Sequence, residues 1–286
     1  MSEQKLVRFD WAMKNLLRNK SNYDIIEGFL SALLEDNDLK VIEILESETN
    51  KEDENDKFNR TDVIVKDGKK RKILIEIQNT KETDYLFRMV YNSSKHISQI
   101  IESGEKYSKI DKIILVSILY FNIGLGEDYL YYGQTEFVGL TTNERINKNS
   151  PQVQNLIPEG SHYNGLEIFP EYYFIQVNKY QNIVKRAIDE WIYWFKNEKV
   201  KVDSHSKNID KVRQKLNILK MNKDERKRYE RYLEKLASER DMVETSKREG
   251  YEEAKEIYKT KLKQVEKEKE EAKKREQEAK KREQEA

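Results

Sequence analysis

The stretch Ile110–Phe121 (IDKIILVSILYF) is almost wholly apolar. It is shorter than the roughly 20 residues that a membrane span requires. A short, β-branched run of this kind reads as a strand covered on both faces. Such a strand needs helices on each side of its sheet, and the neighbouring sequence supplies them. Phe9, Met13, Leu16 and Leu17 follow helical spacing, as do Ile25, Ile26, Phe29, Leu30, Leu33 and Leu34, with Ser21 and Asn22 as caps for the second helix. Val41–Leu45 predicts a strand, followed by an acidic loop from Glu46 to Asp56. Asp62–Lys66, the turn Asp67–Lys70 and Arg71–Gln78 read as a β-hairpin with an Asp-Gly turn. Lys81–Gly104 has helical spacing through Leu86, Val90, His96/Ile97 and Ile100/Ile101. Tyr129–Val138 and Tyr172–Val177 read as further strands, and Ile183–Phe195 as an aromatic-rich helix. All three prolines fall between 151 and 170, which marks that stretch as loop. The expected fold class is α/β, with a mixed central sheet flanked by helices.

The composition changes after about residue 205. Hydrophobic and charged residues each make up 37% of the chain, so part of it has no place in a core. Residues 206–248 predict charged helices with a thin apolar stripe (Ile209, Val212, Leu216, Leu219, then Tyr229, Tyr232/Leu233 and Leu236). The segment Glu271–Gln277 repeats unchanged as Glu278–Gln284, with one apolar residue per repeat, Ala272 or Ala279. A coiled-coil seam needs two. The end therefore reads as a solvated helix held by the i,i+4 pairs Glu271–Arg275, Glu276–Lys280 and Glu278–Arg282, each worth about 0.2–0.5 kcal/mol. The alternative is a weak coiled coil, with homo-oligomerisation through Tyr229–Val265. The expected division is a core domain at 1–203, a helical extension at 204–248 and a low-complexity charged tail at 249–286.

With 54 Lys and Arg against 53 Asp and Glu, the net charge is +1, which rules out a globally basic protein that coats nucleic acid. Any such contact must come from a local patch. The absence of cysteine excludes disulfides, thiolate zinc sites, iron–sulfur clusters and cysteine catalysis. His96, His162 and His205 lie far apart and show no metal-ligand spacing. No apolar run reaches membrane-span length and Met1–Asp10 has no apolar signal core, so a soluble, cytoplasmic protein without a membrane partner is expected.

The hairpin is where chemistry is expected. Its four-residue turn pairs Lys66 with Arg71 and brings Asp62 opposite Ile75, beside Glu76. With one residue of slack in the turn, the two carboxylates become cross-strand neighbours, with Cβ atoms about 5 Å apart. Two carboxylates this close repel unless a cation lies between them, and an oxygen-rich site suits Mg²⁺ or Mn²⁺. The alternative is that both are ordinary polar positions on a half-exposed hairpin. Ile73, Ile75 and Ile77 argue against it, because so hydrophobic a strand is central and buries Glu76. Lys69, Lys70, Arg71 and Lys72 lie at the hairpin tip, either as a solvated turn or as a phosphate clamp beside the metal site. No base-reading motif is visible.

Asp62 followed by Ile75-Glu76-Ile77-Gln78 resembles the PD-(D/E)XK nuclease superfamily, and within it the Rpn family of recombination-promoting nucleases and transposases. The resemblance runs through Phe9-Asp10-Trp11-Ala12-Met13-Lys14, Arg60-Thr61-Asp62, Arg88-Met89-Val90-Tyr91, Gln99 and Gly104-Glu105-Lys106-Tyr107, over roughly residues 8–140. It implies a restriction-endonuclease-like fold and Mg²⁺-dependent hydrolysis of DNA phosphodiesters, tied to recombination or transposition. It also implies Asp62 and Glu76 as metal ligands, joined by the backbone carbonyl of Ile77. Gln78 stands where the superfamily usually has Lys, and Glu27 matches the usual acid of the first helix. Glu27 reads equally as a solvated or capping residue. Arg88 and Tyr91, one turn apart, could face the site or a phosphate, and a structural role for Tyr91 is as good a reading. The rival function is a catalytically inactive nuclease-fold remnant that acts as a scaffold through its helical tail.

Overall fold

The computed structural model describes residues 6–15, 17, 19–46, 63–81, 84–98, 106–124, 126–156, 163 and 165–284. In chain order the main elements are α1 (Phe9–Asn15), α2 (Tyr23–Leu33), β1 (Val41–Glu46), β2 (Val63–Asp67), β3 (Lys72–Gln78) and α3 (Tyr85–Ser98). There follow β4 (Ile113–Leu119), β5 (Leu130–Gly133), α4 (Pro151–Gln154), β6 (Glu171–Gln176), α5 (Ala187–Asn197), α6 (Ile209–Lys215) and α7 (Lys223–Gln284). The strands form one mixed sheet in the order β1-β2-β3-β4-β6-β5. The β3–β4 and β4–β6 pairs are parallel and the others antiparallel. This is the α/β class expected, with β4 inside the sheet and every one of its residues buried.

Side-chain alternation along β3 splits the core. Ile73, Ile75 and Ile77 are buried on one face. Leu74 joins Ile64, Tyr85, Met89, Ile113, Leu115 and Leu119 in a cluster on the other, beneath α3. An aromatic nest completes the core: Phe9 stacks on Phe195 at 4.2 Å and meets Phe29 and Trp194 edge-on. Trp194 Nε1 donates to the Val7 carbonyl at 3.2 Å, tying the chain's start to α5. Gly28 lets α2 approach closely, since a Cβ there would meet the Lys207 carbonyl and lie 2.6 Å from Trp191 Cζ2.

Several expectations are corrected. The hairpin pairs Lys66 with Lys72 and Val63 with Ile75, one residue away from the four-residue-turn register. Asp67 N donates to the Arg71 carbonyl at 3.1 Å and Lys70 N to the Asp67 carbonyl at 3.0 Å, enclosing a three-residue loop whose last residue, Lys70, has φ 62°. That is the turn-plus-left-handed-residue geometry of three-residue hairpins. The expected strand 129–138 ends at Gly133, and only the isolated bridge Val138–Arg145 follows. On α3 the buried residues are Tyr85, Met89 and Ser93, whereas Leu86, Phe87, Val90 and Tyr91 are exposed. The apolar stripe expected to be core thus lies one position off. Asn22 stands at the N-cap of α2 without a side-chain cap bond, and Asn19 instead caps the short 3₁₀ turn before it by accepting from Ser21 N at 3.0 Å. Helix α5 starts at Ala187 rather than Ile183 because Asp189 accepts the N–H groups of Lys185 and Arg186, both at 2.8 Å.

The chain divides into two compact units, Met1–Met221 and Asn222–Ala286. Residues expected to open a separate extension at 204 lie in the first. Lys207 Nζ donates to the Leu39 carbonyl at 3.2 Å and Asn208 Nδ2 to the Asp24 carbonyl at 2.8 Å, fastening this segment to α2 and its C-terminal turn. The second unit is the single helix α7 and its Asn222 cap. Asn222 Oδ1 accepts from Glu225 N at 2.8 Å and Glu225 Oε2 from Asn222 N at 3.1 Å, a reciprocal capping box. Of the pairs expected near its end, Glu271–Arg275 is at 4.0 Å, and the side chains of the other two lie outside those described. No described helix is long and apolar enough to cross a membrane.

Candidate active site

The even-numbered residues of β3 face α3, so Glu76 and Gln78 point to the same side as Leu74. Both are 3% exposed. An ionised carboxylate buried to this degree requires partners, and α3 supplies three. Asn92 Nδ2 donates to Glu76 Oε1, the Tyr85 hydroxyl to Oε2 at 3.4 Å, and Arg88 Nη2 lies 3.5 Å from Oε2. With its carbonyl oxygen turned toward Arg88, the Gln78 amide accepts from Nη1 at 3.0 Å and also from Nη2. The Arg88 guanidinium lies over the Tyr85 ring at 5.1 Å. One arginine thus bridges Glu76 and Gln78 of β3, from a helix face that repeats at Tyr85, Arg88/Met89 and Asn92. On β4, Ser117 is level with Glu76 and its hydroxyl contacts Met89 Sδ at 3.6 Å.

A second polar cluster closes the end of β3. Arg8 donates to Asp10 from Nε at 3.2 Å and Nη2 at 3.0 Å, and from Nη2 to Asn79 Oδ1 at 3.1 Å. Asn79 Nδ2 returns to Asp10 Oδ2 at 3.1 Å, and the Arg8 guanidinium lies 4.9 Å from the Tyr120 ring centroid. The Tyr120 N–H donates to the Gln78 carbonyl at 2.9 Å. Asp10, quoted above for the family resemblance, therefore braces the turn that follows Gln78.

The backbone of β3 also matters. Lys72 N donates to the Lys112 carbonyl at 2.8 Å, and the Gln78 carbonyl accepts from Tyr120 N, so the even residues spend their peptide groups on the β4 side. By strand alternation the carbonyls of Ile75 and Ile77 point toward β2. Val63–Ile75 is the last described pair of that ladder, which leaves the Ile77 carbonyl two residues beyond it. A buried carboxylate and a backbone carbonyl two residues past the last described pair are hard oxygen donors, of the kind a divalent cation takes. Among the described residues no three His, Asp or Glu side chains converge. Asp62 lies outside the described residues, as do Arg60, Thr61, Gln99, Gly104 and Glu105.

Other expected site residues are placed elsewhere. Glu27 Oε1 accepts from Val41 N at 3.0 Å and Oε2 pairs with Lys40 at 3.5 Å. Val41 pairs with Asp67, which is level with Arg71. From Arg71 to Glu76 is five residues of strand, about 17 Å at 3.3 Å each. The hairpin tip is at that same far end, not beside Glu76. Its charges are engaged: Lys69 Nζ and Arg71 Nη2 each meet Asp36 Oδ2 at 2.7 Å, Arg71 Nε meets Asp67 at 2.6 Å, and Lys72 meets Asp111 at 3.4 Å. Burial alone would raise the Asp36 carboxyl, but the hydrogen bonds from Lys69 and Arg71 hold it below its ordinary value. The Lys70 carbonyl accepts from the Tyr163 hydroxyl at 2.8 Å. Tyr91 is exposed on the outer side of α3. Tyr85, Asn92, Arg8 and Asn79 were not singled out from the sequence; for the first two the signal was there, since they share the helix face of Arg88.

A sequence model of the PD-(D/E)XK nuclease family transposases matches residues 7–150, half of the chain, and the match contains β3, α3 and β4 whole. No curated protein and no solved structure matches the chain.

Proposed function

The chain belongs to the PD-(D/E)XK nuclease family transposases, and from that premise we propose that it is a divalent-metal-dependent endonuclease, hydrolysing DNA phosphodiesters in recombination or transposition. The observation that carries the proposal is Glu76, a carboxylate 3% exposed on an interior strand and two residues before Gln78. Asp62 directly precedes Val63, whose partner Ile75 directly precedes Glu76, so chain continuity supports the pairing of the two acids. Asp62, Glu76 and the Ile77 carbonyl would hold Mg²⁺ or Mn²⁺, all through oxygen. Such a cation supplies charge that acidifies a nearby water and offsets the negative charge gathering on the phosphate. The Gln78 amide orients water by neutral hydrogen bonds and lacks the charge that lysine would bring. Asn92 and Tyr85 hold the Glu76 carboxylate in one orientation. Glu27, Lys69 and Arg71 serve the fold, and the phosphate-contacting cations are to be sought on the α3 side of the sheet.

The test is nicking of supercoiled plasmid by purified protein with Mg²⁺, Mn²⁺ or EDTA, beside Asp62→Ala and Glu76→Ala. The expected result is metal-dependent nicking lost in both variants. Nicking that survives in both would place the activity elsewhere. A folded wild type that neither cuts nor binds Mn²⁺ would establish the inactive scaffold instead.

A further inference from the structure

Among the described residues Arg88 is the cation paired with Glu76, and its position bears on how the site takes up a metal. The guanidinium lies 3.5 Å from Glu76 Oε2 and donates to the Gln78 amide. It is held from behind by the Tyr85 ring, and its side chain is 17% exposed. Among its contacts are the two side chains of β3 that face the site. A carboxylate buried as deeply as Glu76 needs a compensating positive charge, and in the protein without metal Arg88 provides it. A divalent cation bound to Glu76 would then stand within a few ångströms of a fixed guanidinium, and two positive charges at that separation in a poorly hydrated site repel strongly.

We infer that Arg88 is the resident counter-cation of Glu76 and that metal and Arg88 compete for that carboxylate, so that metal binding expels the guanidinium from the Glu76–Gln78 bridge. This rests on the reading of Glu76 as a metal ligand. Arg88 is in this sense a positioning residue: it holds Glu76 oriented before metal arrives, at the cost of metal affinity. A purely structural arginine would have the opposite sign, since its loss would loosen the site and weaken metal binding.

The experiment is calorimetric titration of the full chain with Mn²⁺, comparing wild type, Arg88→Met, Arg88→Lys and Glu76→Gln, with far-UV circular dichroism as the folding control. Arg88→Met is expected to bind Mn²⁺ about tenfold tighter or more, as removal of a nearby like charge requires, while Arg88→Lys stays near the wild type. Equal or weaker binding in folded Arg88→Met would overturn the inference. If Glu76→Gln alone abolishes binding, that failure belongs to the inference and not to the metal site. If neither the wild type nor Arg88→Met binds Mn²⁺, the metal-site reading falls and the inference falls with it. Should Arg88→Met not fold, the wild type decides through the Arg88 Nε–H resonance in an arginine side-chain NMR spectrum, assigned by its loss in Arg88→Lys. The resonance should shift on saturation with diamagnetic Mg²⁺, and no shift under saturating metal would overturn the inference.

Discussion

Asp36 and Glu76 are both carboxylates beside an arginine, yet their surroundings give them different work. Asp36 joins Lys69 and Arg71 of the hairpin loop to the loop after α2, with both cations at 2.7 Å. Its carboxyl, held below the ordinary value of 3.8, contributes stability that is fully present above that value and is lost as pH falls through the lower folded value. Asp36→Asn should therefore be less stable than wild type at neutral pH, with the gap closing below about pH 4, as urea unfolding across a pH series would show. Glu76 instead meets Asn92, Tyr85 and Arg88 of α3, which under the proposed function hold a metal ligand in place. Asn92→Ala should leave the fold intact and lower metal-dependent cleavage by about 10–100-fold, measured on the same plasmid. Unchanged cleavage would remove Asn92 from the site. Glu76 and Gln78 were legible in the sequence as polar positions sharing one face of the hairpin's second strand; Asn92 shares a helix face with Arg88, but residue type alone does not tell which strand side chain that face meets.

Among the elements, the hairpin and α3 show where sequence patterns stop. The Asp-Gly dipeptide signals a turn, but the loop is one residue off in register and its left-handed position falls on Lys70, at φ 62°. A side chain in that conformation is strained, so Lys70→Gly should raise stability by up to about 1 kcal/mol. Nicking should be unaffected, since the tip stands about 17 Å along β3 from Glu76; denaturant melts and plasmid assays check both. In α3 the apolar residues Leu86 and Val90 suggest the inner face, whereas Tyr85, Met89 and Ser93 are the buried ones. The inner side of this helix must satisfy a buried carboxylate, so polar groups displace part of the expected apolar stripe. Helix α2 shows the converse constraint. Gly28→Ala would drive a methyl group into the Lys207 carbonyl and Trp191, and a loss of about 1–3 kcal/mol is expected in urea unfolding.

At the scale of the whole molecule the two units differ in what sustains them. The first has an apolar and aromatic core. The helix of the second carries exposed side chains such as Met242, Tyr251, Ile257 and Tyr258, and pairs such as Arg226–Glu230 and Lys255–Glu252. Exposed pairs of this kind contribute about 0.3–0.5 kcal/mol each and are screened by salt. Thermal unfolding followed by circular dichroism should therefore show a gradual, salt-sensitive loss of helix preceding the cooperative melt of the first unit. A single sharp transition would mean that the long helix is packed against something, and a second copy of the chain along its Tyr251–Val265 stripe is the first candidate to test by sedimentation.

Sequence by itself determined the α/β class, the interior strand around Ile113–Leu119, the hairpin that carries Glu76, and the change to a charged helix. Each of these follows from local rules: hydrophobic periodicity, turn chemistry and charge content act over a few residues. Only the tertiary structure decided which end of the sheet each charged group occupies. It put Lys69 and Arg71 on Asp36 and Asp67, put Glu27 on Val41, and closed Arg88, Asn92 and Tyr85 over Glu76. The reason is physical: a buried charge takes its partner from whatever element packs against it, and that neighbour is chosen by the packing of the whole core rather than by the residues beside it in the chain.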